Sequence, residues 1–206
     1  MAKTFQVTSG KMVCSDPCYS IPTWCQGIVD NVKNGVWEAG IKESDEGAWG
    51  TRIAYLWVYN IEAVTKNPQI LSDIETYHGS PMPFAGGVDS GQFGFFDFAH
   101  YRNDASAEGL PKSYFGDDYD RESGDAWYRA CAELTLGEES WGELPHGVVS
   151  SSGFGDGSYG VVGIKDDEGQ YVAFCVEFIG NDEDDEDDWE DGVDGSDDWG
   201  EEDNED

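Results

Sequence analysis

Two polar segments broken by glycine carry the side chains best suited to binding a small ligand. The first is Asp89-Ser90-Gly91-Gln92, and the second covers residues 150–159 around Asp156. Glycine lets the backbone approach a ligand closely, and carboxylate and amide oxygens bind Ca²⁺ or Mg²⁺ or act as an acid and base pair. If the two segments face each other, their oxygens can converge with that of Asp97. The candidate ligand-binding residues are therefore Asp89, Ser90, Gln92, Asp97, Ser152 and Asp156.

The glycines of the second segment also have a structural interpretation, as a turn or bulge in which Asp156 accepts backbone N–H bonds. Gly155, Gly157, Gly160 and Val162 match the pattern G-x-G-x-x-G-x-V. A dinucleotide site requires a helix after this pattern, whereas a strand-like run follows it here. A protein kinase requires a catalytic loop and a D-F-G motif, and the remaining residues contain neither. Both classes are excluded.

The five cysteines are an odd number, so they cannot all pair within one chain, and we expect reduced thiols. Cys14, Cys18 and Cys25 have the spacing C-x3-C-x6-C, which departs from the C-x2-C spacing of structural zinc sites. We therefore predict Cys14 in a core strand and the other two in a loop. The acidic surroundings of Cys18 disfavour a reactive thiolate there.

The three histidines, His78, His100 and His146, form no H-x-H or H-E-x-x-H motif that would bring two of them to one metal ion. We expect each on the surface or satisfied by a local hydrogen bond, and we predict no metal site. A G-x-S-x-G elbow is also absent from the sequence, so a hydrolase triad has no support. The residues do not identify a cofactor.

Residues 181–206 differ in composition from the rest of the chain. They hold 17 of the 44 acidic side chains and none of the 11 Lys and Arg residues. Such a segment cannot offset its ordering entropy by burying apolar surface, which predicts a disordered polyacidic tail. Two tryptophans in a loose repeat make it either a recognition element or a merely solubilising tail. The candidate partner-binding residues are Trp189, Trp199, Asp187, Asp188, Asp197 and Asp198.

The formal net charge of −33 restricts the possible partners. Even residues 1–180 hold 27 acids against 11 bases. Such a field repels phosphate backbones and anionic lipids, so direct binding to nucleic acid or membrane is disfavoured. It attracts basic proteins, including their nucleic-acid-binding faces. The N-terminus lacks a signal-peptide pattern and no run approaches the roughly 18 apolar residues of a membrane span, so we expect a cytoplasmic protein.

Apolar and polar residues alternate in a way that predicts a mainly β fold of the α+β class. The clearest strand is Thr51–Asn60, where both faces look covered, and the one credible helix is Asp125–Leu136. Ser9-Gly10 separates the first two strands as a hairpin or tight corner. We predict an antiparallel β-sandwich or curved sheet with one packed helix over residues 1–180, followed by the tail. Further strands are predicted over residues 4–8, 11–14, 36–42, 147–152, 158–165 and 170–179.

Several short motifs occur in an order that resembles a known family. They are Ser9-Gly10 before Ser15-Asp16-Pro17-Cys18-Tyr19, Gly35-Val36-Trp37, Val88-Asp89-Ser90-Gly91-Gln92 with Phe95-Phe96-Asp97, Trp127-Tyr128 with Cys131, and residues 151–159. Together they are similar to the bacterial and phage proteins of domain-of-unknown-function family 4241. The resemblance implies a shared fold and a phage or mobile-element origin, hence the host cytoplasm, and it brings no catalytic residues. The polyacidic tail departs from the family pattern.

Three functions agree with these features. The one we favour is a non-enzymatic acidic binding or regulatory protein, such as a phage-type inhibitor that mimics nucleic acid and occupies a basic surface of another protein. The second is a domain or enzyme that binds a small ligand or metal between the two glycine-containing segments. The third is an immunity-type protein that neutralises a partner toxin.

Overall fold

The computed structural model describes residues 2–107 and 125–180. Within this part of the chain, eleven strands form two antiparallel sheets that are not closed into a barrel. The mainly β fold class predicted from the sequence is confirmed. In chain order the strands are β1 (Lys3–Val7), β2 (Lys11–Ser15), β3 (Gly27–Asp30), β4 (Gly35–Asp45), β5 (Thr51–Asn60), β6 (Ser80–Val88), β7 (Gln92–Asp97), β8 (Trp141–Leu144), β9 (Gly147–Ser151), β10 (Gly157–Lys165) and β11 (Tyr171–Glu177).

The two sheets pack face to face around a core of large aromatic side chains. Sheet A has the order β1-β4-β5-β11-β10-β6, and sheet B has the order β3-β2-β7-β9-β8. Between the sheets, the Trp37 ring lies 6.4 Å from Phe5 and 6.0 Å from Phe174, and Phe174 lies 6.0 Å from Phe95 of β7. Every residue of β7 is buried, because sheet B is covered on both of its faces at this strand.

The chain crosses from one sheet to the other within its first fifteen residues. β1 pairs with β4 in sheet A, whereas β2 pairs with β3 and β7 in sheet B. Gly10, at φ +70°, makes the bend between them. The predicted Ser9-Gly10 turn is thus a tight corner between sheets and not a hairpin.

Strand β5 lies where it was predicted, and both of its faces are covered. Ile53 and Leu56 point into the core between the sheets, while Ala54 and Tyr55 contact the outer side of sheet A. Simple alternation would put Ile53 and Tyr55 on the same face. A register shift in the pairing of β5 with β4 interrupts the alternation, as a β-bulge does.

Two short helices that the sequence did not predict cover the outer face of sheet A. They are α1 (Ile61–Lys66) and α2 (Gln69–Glu75). The Asn60 side chain caps α1 by accepting a hydrogen bond from the Ala63 backbone N–H at 3.0 Å. Ile70 and Ile74 of α2 are buried against the sheet.

The predicted helix over residues 125–136 is confirmed as α3 (Asp125–Leu136), and it covers the outer face of sheet B. Its Trp127 ring lies 4.9 Å from the Phe96 ring of β7 in an edge-on contact. The described part of the molecule thus has four layers: α1 and α2, sheet A, sheet B, and α3. None of the helices described is long and apolar enough to cross a lipid bilayer.

Candidate functional site

Asp16, a residue that the sequence did not single out as functional, joins two of the motifs described above. Its side chain is fully buried between the loop after β2 and the turn between β6 and β7. One carboxylate oxygen accepts hydrogen bonds from the backbone N–H groups of Asp89 (2.9 Å) and Ser90 (2.7 Å). The other accepts from the Ser90 hydroxyl (2.7 Å) and the Cys18 N–H (2.8 Å). A buried anion with four donors is well satisfied, so this contact fixes the two loops to each other.

The two glycine-containing segments also contact each other, as the ligand-site hypothesis requires. The Ser152 N–H donates to the Gly91 carbonyl at 3.1 Å. The loop after β9 is closed by its own bonds, since the Tyr159 hydroxyl donates to the Gly155 carbonyl at 2.6 Å. The structure thereby brings together three motifs that are distant in sequence: residues 15–19, 88–92 and 151–159.

Most of the predicted ligand-binding side chains are used inside the protein. Gln92 is buried, donates to the Ser90 hydroxyl at 3.2 Å and accepts from Thr135 of α3 at 3.0 Å. The Ser152 hydroxyl, also buried, donates to the Gly155 carbonyl at 2.9 Å. Asp89 and Asp156 are exposed. The two exposed carboxylates are therefore the members of this set that solvent or a partner can reach most directly.

A cleft of about 380 Å³ opens beside this junction. It lies between the loop of residues 16–26, the edge strand β6 and the first residues of β10. Trp24 stands at the cleft with 96% of its surface exposed, whereas Cys25 is buried. Among the described residues that line the cleft there is no Lys or Arg. The lining side chains most able to make specific contacts are Tyr19, Trp24, Cys25, Phe84, Asp89 and Ser158.

Two nucleophilic groups near the cleft, the Cys18 thiol and the Tyr19 hydroxyl, are held in their protonated forms. Burial, followed by the nearby charges of Asp16 and Asp89, raises the pKa of the Cys18 thiol to about 12. The pKa of the Tyr19 hydroxyl is also raised, by burial and by the neighbouring side chains of Asp89 and Cys25. All five cysteines of the chain are free. Cys18 therefore lacks the thiolate that covalent catalysis requires.

Asp97 lies at the opposite end of β7 from Gln92, about 17 Å away along a strand of this length. Its buried carboxylate accepts hydrogen bonds from the Thr8 N–H at 2.9 Å and the Thr8 hydroxyl at 2.6 Å. It also accepts from the N–H (3.2 Å) and hydroxyl of Ser9. Asp97 therefore fixes the corner between the sheets and does not share the cleft with Asp89.

Two histidines lie against each other next to Asp97. The sequence did not predict this pair, because the two residues belong to separate turns. The His100 and His146 rings are stacked with centroids 3.5 Å apart and planes inclined by 6°. His100 Nε2 and His146 Nδ1 lie 3.9 and 4.0 Å from Asp97 Oδ2, and His146 Nδ1 donates to the Gln6 carbonyl at 3.1 Å.

The His-Asp-His group offers metal-ligating atoms within 4.8 Å of one another, but its present geometry suits hydrogen bonding better than metal binding. A nitrogen lone pair lies in the plane of its imidazole ring, so two parallel rings cannot aim at one ion. The acceptor positions of the Asp97 carboxylate are already filled by Thr8 and Ser9. An ion would require one ring to rotate and one hydroxyl to move away.

The fold and the cleft define an α+β protein with two helix-covered antiparallel sheets and a small cleft at the edge of sheet A, which no Lys or Arg of the described residues lines. The chain belongs to the family described as protein of unknown function (DUF4241), whose sequence model matches residues 5–176. The resemblance inferred from the motifs is therefore confirmed. Comparison with curated proteins and with solved structures found no match.

The predicted partner-binding residues of the acidic tail lie outside the described residues. They are Trp189, Trp199, Asp187, Asp188, Asp197 and Asp198. Their role remains a prediction from the sequence.

Proposed function

We propose that this protein is a non-enzymatic binding protein whose acidic surface engages a basic surface of another protein. The observation that carries the proposal is a cleft lined by the Asp89 carboxylate and by no Lys or Arg among the described residues. It belongs to a chain with 44 acidic and 11 basic side chains. This negative charge speeds the encounter with a positively charged partner, and it repels phosphate-bearing molecules.

The chemistry near the cleft supports binding rather than catalysis. The Cys18 thiol has a pKa of about 12, so it remains protonated at neutral pH. Three polar side chains near the cleft form hydrogen bonds within the protein and are not free to act on a substrate: Asp16, Gln92 and Ser152. A divalent metal such as Ca²⁺ takes six to eight oxygen ligands, and one exposed carboxylate in the cleft does not approach that number. These facts weigh against the enzyme and metal-binding alternatives.

The partner we propose is a protein with a basic, nucleic-acid-binding face, which the acidic chain would occupy as a mimic of nucleic acid. A phage-encoded inhibitor of a host protein would work in this way. An immunity-type protein would use the same surface against a basic toxin. We place the protein in the cytoplasm, since its five free thiols suit a reducing compartment.

A binding measurement with a defined basic protein tests this proposal. The full chain is titrated with protamine by calorimetry at increasing salt, with duplex DNA added as a competitor. We expect protamine binding that weakens steeply with salt, competition by DNA for protamine, and no binding of the chain to DNA itself. A full-length variant with the 17 tail acids changed to Asn or Gln shows how much of the protamine binding depends on the charge of the tail.

Two results would contradict the proposal. One is protamine binding that is absent at low salt. The other is tight, salt-sensitive binding of the purified chain to DNA or RNA.

A further inference from the structure

The cleft beside Asp89 has the composition of a pocket for one cationic side chain. Tyr19, Trp24 and Phe84 supply three aromatic rings, and Asp89 supplies the carboxylate. Trp24 buries almost none of its surface against the rest of the protein, being 96% exposed. A single exposed aromatic residue needs no explanation, but an exposed indole beside a carboxylate in a concave site matches the aromatic anchors of protein interfaces.

We propose that this cleft binds an arginine side chain of the basic partner, with the guanidinium stacked on Trp24 and paired with Asp89. This inference rests on the proposed function and names the contact that gives it specificity. Arginine fits better than lysine because its planar group can stack on an indole and donate two parallel hydrogen bonds to one carboxylate. Lysine offers a more strongly hydrated point charge without that geometry.

The carboxylate in the cleft is held in place from beneath. The Asp89 and Ser90 backbone N–H groups are both bonded to buried Asp16, which fixes the turn that carries the Asp89 side chain. The Tyr19 ring lines the same cleft as Asp89. A site whose parts are ordered before binding loses less conformational entropy when the ligand arrives.

The wall of the cleft depends on a close approach between β6 and the loop of residues 16–26. A Cβ atom added to Gly87 would lie 2.7 Å from the Cys25 Cβ atom, so no larger residue fits there without displacing the loop. The resulting volume of about 380 Å³ lies near the lower end of the roughly 300–1,000 Å³ range of small-molecule sites. That size suits one long side chain inserted by a protein partner.

The experiment compares three short peptides that differ at one position. Acetyl-Gly-Arg-Gly-amide is titrated into the full chain, next to the same peptide with citrulline, which keeps the shape but not the charge, and with lysine. Binding is followed by NMR of the tryptophan indole N–H signals, with the Trp24 signal assigned by its absence in Trp24→Phe. We expect the arginine peptide to shift the Trp24 signal, the lysine peptide to bind more weakly, and the citrulline peptide to leave the signal unchanged.

Matched variants show where the peptide binds. Asp89→Asn, followed at the Trp24 signal, and Trp24→Ala, followed by calorimetry against the wild type, should each bind the arginine peptide about tenfold or more weakly, as truncation of an interface anchor does. Asp167→Asn removes an exposed acid, and Trp49→Phe alters a 71%-exposed tryptophan; neither residue lines the cleft, and both variants should bind as the wild type does.

Equal binding of the arginine and citrulline peptides would overturn the inference. So would an equal loss of peptide affinity in the cleft and control variants, or a Trp24 indole signal that the arginine peptide does not shift. In each case the protamine titration decides separately on the proposed function. If protamine still binds in a salt-sensitive way, the acidic surface acts without an arginine pocket.

Discussion

The junction at Asp16 and the corner at Asp97 are two versions of one structural device. Each has a fully buried carboxylate that accepts four hydrogen bonds from N–H and O–H groups of loop residues. Each also has a glycine at φ +70° in the loop it fixes, Gly91 at the junction and Gly10 at the corner. A buried charge is tolerated only with such partners, so both carboxylates hold the fold together.

The two regions differ in what they present to solvent. Next to Asp97 lies a pair of stacked histidines, and the corner connects the two sheets. Above Asp16 lies the cleft, where Asp89 and Trp24 are exposed. A buried carboxylate by itself therefore does not mark a functional site. The exposed groups that it positions are what a partner can recognise.

The largest expected effect is the loss of either buried carboxylate. Asp16→Ala and Asp97→Ala should each lower the free energy of unfolding by roughly 3 kcal/mol or more, because several buried donors lose their acceptor. Denaturant unfolding followed by tryptophan fluorescence measures this. Asp16→Asn and Asp97→Asn keep one acceptor oxygen and should lose less. If Asp16→Ala costs almost nothing while Asp97→Ala is severe, the two regions are not equivalent.

The contribution of the Asp97 carboxylate to the free energy of unfolding should depend on pH in acid. Burial raises the pKa of Asp97, but hydrogen bonds from Ser9 and Thr8 outweigh burial, and the net pKa is lowered. A lowered folded pKa means that the contribution is complete above the unfolded value of about 3.9 and is lost as the pH falls through the folded pKa. The stability difference between wild type and Asp97→Asn should therefore shrink as the pH falls below about 5. Unfolding curves at each pH test this, and a difference that grows in acid would refute it.

The glycines of the two loops should respond alike. Gly10→Ala and Gly91→Ala should each cost about 1–2 kcal/mol, since a Cβ atom is strained at positive φ. The added Cβ would meet its nearest neighbours at 3.8 and 3.9 Å, which is ordinary contact, so backbone strain is the only cost at both sites. Gly180→Ala, where φ is not positive, is the control and should be neutral. A large difference between the two loop variants in thermal unfolding would show that one loop is held by more than its carboxylate.

The smallest effect on stability is expected at the surface of the cleft. Trp24→Ala should change the free energy of unfolding by less than about 0.5 kcal/mol, because the side chain buries almost nothing. The same variant should lose affinity for the arginine peptide, so thermal unfolding and peptide titration together separate recognition from support. A clear drop in melting temperature would place Trp24 among the structural residues instead.

The elements that sequence predicted well are those with long, regular patterns. The apolar residues of β5 and the helical spacing of Trp127 and Cys131 in α3 extend over ten and twelve residues, enough to establish a period. Helices α1 and α2 are only six and seven residues long, which is too short for periodicity to be read. Strand β6 was missed because it contains Pro81 and Pro83, and prolines are tolerated there because the strand lies at a sheet edge.

The candidate site could be predicted only in part, because its contacts join distant segments. The sequence shows that the Asp89 and Ser152 loops could form a site if they met, but nothing local to either loop determines whether they do. Asp16 had one local signal, since an Asp whose side chain accepts from the N–H two residues later forms an Asx turn, here with Cys18. Its bonds to Asp89 and Ser90 span more than seventy residues and have no local signature.

The position of β11 has a consequence for how this chain reaches its native state. The last described strand is inserted in the middle of sheet A, between β5 and β10, and not at an edge. Until residues 171–177 have paired, β5 and β10 each have one edge with unpaired backbone N–H and C=O groups, and both strands are rich in apolar side chains. Such an edge can pair with a strand of another chain. Folding of this sheet must therefore wait for nearly the whole domain, as expected for slow topologies dominated by non-local pairing. A chain cut short before Tyr171 should aggregate rather than form a smaller stable domain.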